Sequence, residues 1–163
     1  MLTAKTLKGN WATLLLPINS DDSIDYVRLA EEIDDMIRAV PDGIYSNGTA
    51  GELHNQTEAE FDKVQEIMAA KCEAAAVPFQ IGANHPSPLI SLQRMQRTVA
   101  LQPAAFQVIL PDWVSTGAGE QVTFYKGWQQ LRMAYRWYCT IRPMRKQSYC
   151  RLNWEGCRNW CRN

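Results

Sequence analysis

GIYSNGTAGELHNQTEAEFDKVQEIMAAKC, residues 43–72, joins a short apolar run to an amphipathic helix through a loop of Gly, Asn and Thr. GIYSNG, 43–48, has the length and composition of a strand that leads into a turn. Thr57 and Glu60 form a T-x-x-E capping box, in which each side chain satisfies a backbone N–H that the first helical turn leaves without an acceptor. Phe61, Val64, Ile67, Met68 and Cys72 then recur at three- and four-residue spacing and give the helix one apolar face. The unit is strand, polar loop, helix, and it repeats in both directions.

Upstream, WATLLLP (11–17) reads as a buried strand. Asp25 then caps a helix carrying Leu29, Ile33, Met36, Ile37 and Val40 on one side, and Pro41 ends it. Downstream, PFQIGA (78–83) is a third strand. Ser87 and Pro88 start a third helix as N-cap and first helical residue, with Leu92, Met95 and Val99 apolar. AFQVILP (105–111) is a fourth strand. One such unit per roughly 30 residues predicts an α/β fold with a parallel sheet and right-handed crossovers. An open doubly wound sheet and a (β/α)8 barrel both use this order. No G-x-G-x-x-G follows the first strand, and eight units would need about 250 residues, the usual barrel size. Polar residues gather after the strands, as a barrel's active face requires: Ser46, Asn47, Thr49 and Glu52, then Asn84 and His85, then Asp112. The expected fold is the N-terminal half of a TIM (β/α)8 barrel, residues 1–124, containing four βα units.

With 46% hydrophobic and 21% charged residues, the 163-residue chain has the balance of a globular protein with a core rather than a disordered one. MLTAKTLKGNWATLLLPIN holds only a brief apolar run and no signal-peptide core, and no stretch reaches membrane-spanning length, so a cytoplasmic location with no membrane partner is expected. The formal net charge of zero hides two opposite halves. Residues 1–124 carry 8 Lys/Arg and 16 Asp/Glu, whereas 125–163 carry 9 Lys/Arg and one acid, Glu155. Beyond that boundary also lie four of the five Cys (Cys139, Cys150, Cys157, Cys161) and four of the six Trp. The tail has neither a helical nor a strand period and is expected to be irregular or helical.

SNGTAGELHNQTEAEF, in its strand–loop–helix setting, resembles the Gly-Thr-(Thr)-Gly-Glu loop of the dihydrodipicolinate synthase/N-acetylneuraminate lyase family. WATLLLPIN with DDSID resembles that family's first strand and helix entry, PFQIGA its third strand and QVILPDW its fourth. The likeness covers about residues 8–124. It implies class I aldolase (lyase) chemistry on pyruvate or a related 2-oxo acid. A buried barrel lysine forms a Schiff base, a tyrosine in a YNxP segment relays protons, and the loop's N–H and hydroxyl groups hold the keto acid's carboxylate. By the same resemblance Gly48, Thr49 and Ala50 bind substrate and Thr49 lends its hydroxyl to the proton relay. No cofactor or metal is implied, and members assemble as homo-oligomers. Two positions depart from the pattern: Ala50 replaces a second threonine, and Trp113 stands where synthases place a tyrosine reaching across a subunit interface. A sibling lyase fits these departures better than the synthase itself.

After Phe124 the family's helix and its YNPP strand are missing, and MAYRWYCTIRPMRKQSYC (133–150) stands in their place. Loss of one nucleotide near the Phe124 codon accounts for this. The original frame then takes the third base of each codon with the first two of the next. Met133-Ala134 and Trp154-Glu155 must then each give Gly. Trp137-Tyr138 and Trp160-Cys161 must each give Val, and Tyr138-Cys139 must give Leu. Permitted choices at the other bases yield GIPLVLYNPPHAKAVLL, an apolar strand running into YNPP. Residues 125–163 are therefore expected to be out-of-frame translation. The chain is then truncated, lacks the relay tyrosine and the Schiff-base lysine, and is inactive. Lys5 and Lys8 precede the first strand, and Lys63 and Lys71 lie on the polar side of the second helix.

Other readings stay open. The half barrel could be a binding protein whose basic aromatic tail contacts nucleic acid, since Arg neutralises phosphates and Trp and Tyr stack on bases. Glu52, His54 and His85 could hold a metal, or simply form a polar rim. The tail cysteines lack paired C-x2-C spacing for zinc, and a reducing cytosol disfavours disulfides. A half barrel leaves its first and fourth strands as unpaired edges, from which poor solubility is expected.

Overall fold

The computed structural model describes residues 8–109, together with 117, 119, 120, 123, 139–141 and 150–152. Four strands, β1 (Trp11–Thr13), β2 (Gly43–Ser46), β3 (Phe79–Gly82) and β4 (Ala105–Gln107), form one sheet in the order β1-β2-β3-β4. Every pairing is parallel, with Thr13 opposite Tyr45, Tyr45 opposite Gln80, and Gly82 opposite Gln107. Helices α1 (Tyr26–Arg38), α2 (Glu58–Ala74) and α3 (Pro88–Thr98) connect successive strands. The three crossovers and the sequential strand order are those of consecutive βα units in a (β/α)8 barrel.

Side chains alternate across a strand, so the register assigns each residue to a face. Ala12, Ile44, Phe79, Ile81 and Phe106 belong to the helix-facing side. They join Leu29 and Ile33 of α1, Phe61, Val64, Met68 and Cys72 of α2, and Met95 of α3 in one core. The opposite face carries Trp11, Thr13, Gly43, Tyr45, Gln80, Gly82, Ala105 and Gln107. On it the Trp11 ring lies so close to Gly43 that a Cβ there would fall 2.3 Å from it.

The local start signals act as expected. Asp25 accepts from the N–H groups of Val27 and Arg28, and the Thr57/Glu60 capping box is complete. Ser87 occupies the N-cap position of α3 with Pro88 after it, but its hydroxyl makes no cap bond. The stops differ. β1 ends at Thr13, although Leu14 N–H still donates to Tyr45 O (2.8 Å) and Leu14 stays buried. β2 ends at Ser46 because Asn47 turns into the left-handed region (φ 52°). Val40, expected on the apolar face of α1, lies past the helix at φ 52° and is 85% exposed. The third strand loses one residue at each end, and the fourth stops at Gln107; Leu110 and Pro111 of its expected span lie outside the described residues.

β1 and β4 are the two end strands of the sheet, as expected of a half barrel. β5 (Cys139–Ile141) lies beside β4 without joining its ladder. β5 pairs antiparallel with β6 (Cys150–Leu152), so these two triplets of the tail are extended rather than irregular or helical. Asp112, Trp113, Phe124, Glu155, Cys157, Cys161, Lys5 and the rest of the 125–163 segment lie outside the described residues. Among the described residues no helix is long and apolar enough to cross a membrane.

Candidate functional site

At the C-terminal ends of the strands the backbone ladder gives out and side chains take over its role. Asn47, directly after β2, sends Nδ2 to Gly82 O at 2.6 Å. Asn84, two residues past β3, donates Nδ2 to Asn47 O at 3.0 Å and accepts from Ile109 N–H at 2.7 Å. Both Asn residues are buried, at 2% exposure. Between them Gly82 approaches the Asn47 carbonyl so closely that a Cβ would lie 2.5 Å from its oxygen.

Asn47 leads directly into the 3-10 turn Thr49–Gly51. Gly48 precedes the turn in extended conformation, Gly51 N–H donates to Gly48 O (2.9 Å), and Gln56 Nε2 donates to Gly51 O (3.1 Å). The N–H groups that lead a helical turn have no acceptor within it, so those of Thr49 and Ala50 are the donors this turn can offer. Thr49 and Ala50 are exposed, whereas Gly48 and Gly51 are buried. A Cβ on Gly51 would sit 3.1 Å from Leu14 O, beyond β1, and one on Gly48 would sit 3.7 Å from Gln107 Oε1 of β4. The turn therefore lies across the C-terminal mouth of the face opposite the helices, which is the inner, concave face of a (β/α)8 sheet, from the first strand to the fourth.

Below it the concave face carries neutral hydrogen-bonding groups. Thr13 Oγ1 donates to the Tyr45 hydroxyl at 2.5 Å. Asn47 Oδ1 and Gln107 Oε1 are buried acceptors with no partner among the described residues. No described lysine faces it: Lys8 and Lys63 are exposed, and Lys71 pairs with Asp34 (2.5 Å) between α1 and α2.

The residues expected on the active face divide accordingly. Asn47 and Asn84 are at the mouth but bond internally. Ser46 is not there: it shares parity with Ile44, faces α2 and donates its hydroxyl to Gln65 Oε1 at 2.5 Å. Glu52 adopts a left-handed conformation (φ 51°) and is exposed, as is His54. His85 is half-buried, and Ser87 N–H donates to its Nδ1 at 2.9 Å. Burial and then the nearby Arg94 charge hold its imidazole below the usual histidine range. Glu52, His54 and His85 are not brought together: no group of three or more His, Cys, Asp or Glu among the described residues could hold a metal ion.

Sequence reasoning missed Arg94. It lies on α3 between Leu92 and Met95, is fully buried, and donates Nη1 to Asn84 O (2.5 Å) and Nε to Glu58 Oε1 (2.9 Å). Its guanidinium stacks 4.4 Å above the centroid of Phe61. Glu58 also accepts from Arg97 Nη2 (2.6 Å), which reaches Asp62 as well (2.9 Å). Burial pushes the Glu58 carboxyl up, but the bonds from Arg94 and Arg97 outweigh it and hold the group below the usual carboxylate range. The network clamps the start of α2 to α3 and to the loop after β3.

No protein-family model matches the chain. The 4-hydroxy-tetrahydrodipicolinate synthase of Thermomicrobium roseum is 28% identical over 105 residues, which are 64% of this chain and 34% of that protein. The crystal structure of N-acetylneuraminate lyase from Fusobacterium nucleatum superposes with a TM-score of 0.76 at 19% identity, covering 96% of this chain and 53% of that one. The dihydrodipicolinate synthase of Acinetobacter baumannii, solved with pyruvate, gives a TM-score of 0.74 at 17% identity, over 83% of this chain and 45% of that one. This chain resembles the dihydrodipicolinate synthase/N-acetylneuraminate lyase family. The likeness is to an N-terminal half: the chain spans about a third of the length of that synthase from T. roseum and about half that of the solved structures. The fold is therefore the first half of a TIM barrel, with its parallel strand order as expected from the sequence.

Proposed function

We propose that this chain carries the carboxylate-binding half of a class I aldolase or lyase barrel that acts on pyruvate or a related 2-oxo acid. The observation that carries the reading is the turn Thr49–Gly51, which lies across the mouth of the concave face with Gly48 beside Gln107 and Gly51 against Leu14 O. In this reading the N–H groups of Thr49 and Ala50 hold the substrate carboxylate and the Thr49 hydroxyl joins the proton relay. Pyruvate in the A. baumannii synthase structure, and in that of the related E. coli protein YagE, supports a small 2-oxo acid as the ligand.

The reaction needs a lysine amine that condenses with the keto carbon and releases water, and a tyrosine that moves the proton. No YNxP segment occurs among residues 1–163, and none of Lys5, Lys8, Lys63 and Lys71 stands at a matching position. In our reading residues 1–124 are a partial barrel and residues 125–163 are out-of-frame translation, so the frame that would supply both groups is lost and this chain does not turn over. In the intact protein the barrel is cytoplasmic and homo-oligomeric. Two experiments test this. Sequencing the coding DNA across the Phe124 codon should reveal a barrel continuation, with its YNPP and lysine codons, in a shifted frame. Borohydride reduction with pyruvate should then leave this chain unmodified and trap a lysine adduct once the frame is restored. An adduct on the present chain would overturn its inactivity, and no adduct on the restored protein would overturn the aldolase reading.

A further inference from the structure

We propose that Asn84 is the positioning residue of the turn at 48–51, acting from β3 on a loop that belongs to β2. Its side chain uses both ends of one amide. Nδ2 donates to Asn47 O, the last carbonyl before Gly48, and Oδ1 accepts from Ile109 N–H just past β4. Asn47 returns the link through Nδ2 to Gly82 O. The chain of bonds is continuous across the ends of three strands and runs through two buried residues, Asn47 and Asn84, each 2% exposed. Asn84 is itself held from behind, since its carbonyl accepts from the fully buried Arg94. A residue so fixed on both sides sets the height and tilt of the Asn47 peptide, and thereby the direction of the N–H groups that follow. Asn47 sits in the sparsely populated left-handed region, where a non-glycine residue depends on such bonds to hold its conformation.

The ligand side of this inference rests on the 2-oxo acid reading above; the positioning itself does not. The test uses the full 163-residue chain and two variants, followed residue by residue by amide hydrogen exchange and by pyruvate titration in NMR. Asn84→Asp keeps an acceptor for Ile109 N–H but removes the donor to Asn47 O, whereas Asn84→Ala removes both. The Gly51 amide, bonded to Gly48 O, should exchange about tenfold faster in both variants, the worth of one lost hydrogen bond. The Ile109 amide should do so only in Asn84→Ala. Core amides such as that of Met68 serve as the reference. Unchanged Gly51 exchange in both variants would overturn the inference, as would equal acceleration of Gly51 and the core amides, which is mere loss of stability. Pyruvate should shift the Thr49 and Ala50 amides of the wild-type chain, with severalfold weaker affinity in Asn84→Asp. Absence of any shift in the wild type would sink the carboxylate reading alone, leaving the exchange result to judge Asn84.

Discussion

Replacing Arg94 with Met tests the one fully buried charge among the described residues. Methionine preserves most of the apolar stem, so the change isolates the guanidinium. Three terms compete. Asn84 O loses its 2.5 Å donor, and an unsatisfied buried carbonyl costs about 1–3 kcal/mol. The stack 4.4 Å above Phe61 is lost, worth about 0.5–2 kcal/mol. Against these, the protein no longer desolvates a fully buried cation, which is why such replacements are sometimes neutral. The Glu58 partner decides the balance. Its side chain is 41% exposed, so it rehydrates when abandoned and adds little penalty, and Arg97 still holds it. The net expectation is a loss near the lower end of the sum, about 2 kcal/mol. Urea denaturation followed by far-UV circular dichroism measures it. Arg94→Lys should lose about half as much, because one ammonium cannot reach both Glu58 and Asn84 as the planar fork does. A Met variant as stable as the wild type would refute the reasoning and show that desolvation consumes all the bonds return.

Glu58 makes stability depend on acid. Its carboxyl lies below the usual range when folded, so its contribution is complete above that range and disappears as pH falls through the lowered value. Urea midpoints measured from neutral pH down to about pH 3 should therefore fall less steeply in Glu58→Gln than in the wild type. Cys72 is fully buried and burial raises its thiol to about 11, so alkylation of the native chain at neutral pH, mapped by mass spectrometry, should spare it until urea is added. Gly82→Ala places a methyl 2.5 Å from Asn47 O, and the two strand ends must part to admit it. That should cost about 1–3 kcal/mol in the same denaturation assay, and a neutral result would show that the Asn47 peptide can move freely.

What could be read from the sequence was whatever is decided within one turn of chain. The capping box at Thr57 and Glu60, the Asp25 cap and the apolar stripe of α2 are local, and each forms as its spacing requires. The strand order followed because parallel crossovers leave few alternatives. The failures at Ser46 and Arg94 share a cause, since each was settled by what lies across the fold, whereas Val40 failed locally. Ser46 looked like a rim residue because it follows apolar neighbours, but strand parity turns it to Gln65. Val40 fitted the helical period, yet the chain had already left the helix to reach Pro41. Arg94 is the sharpest case. An arginine amid Gln93, Gln96 and Arg97 reads as a solvated face, and only the proximity of Phe61, Glu58 and the Asn84 carbonyl makes burial tolerable. One faint signal was present. Ser91, Arg94, Met95 and Thr98 fall at helical spacing, and all four are buried, so the inward face of α3 is partly polar. A polar inward face needs polar partners, and here they are the carbonyls of the loop after β3 and of α3 itself: His85 O for Ser91, Asn84 O for Arg94 and Arg94 O for Thr98. The third helix thus spends its hydrogen bonds largely on the segment that carries Asn84. A helix whose buried face is built that way holds the mouth of the barrel in shape, which an all-apolar face would leave to packing alone.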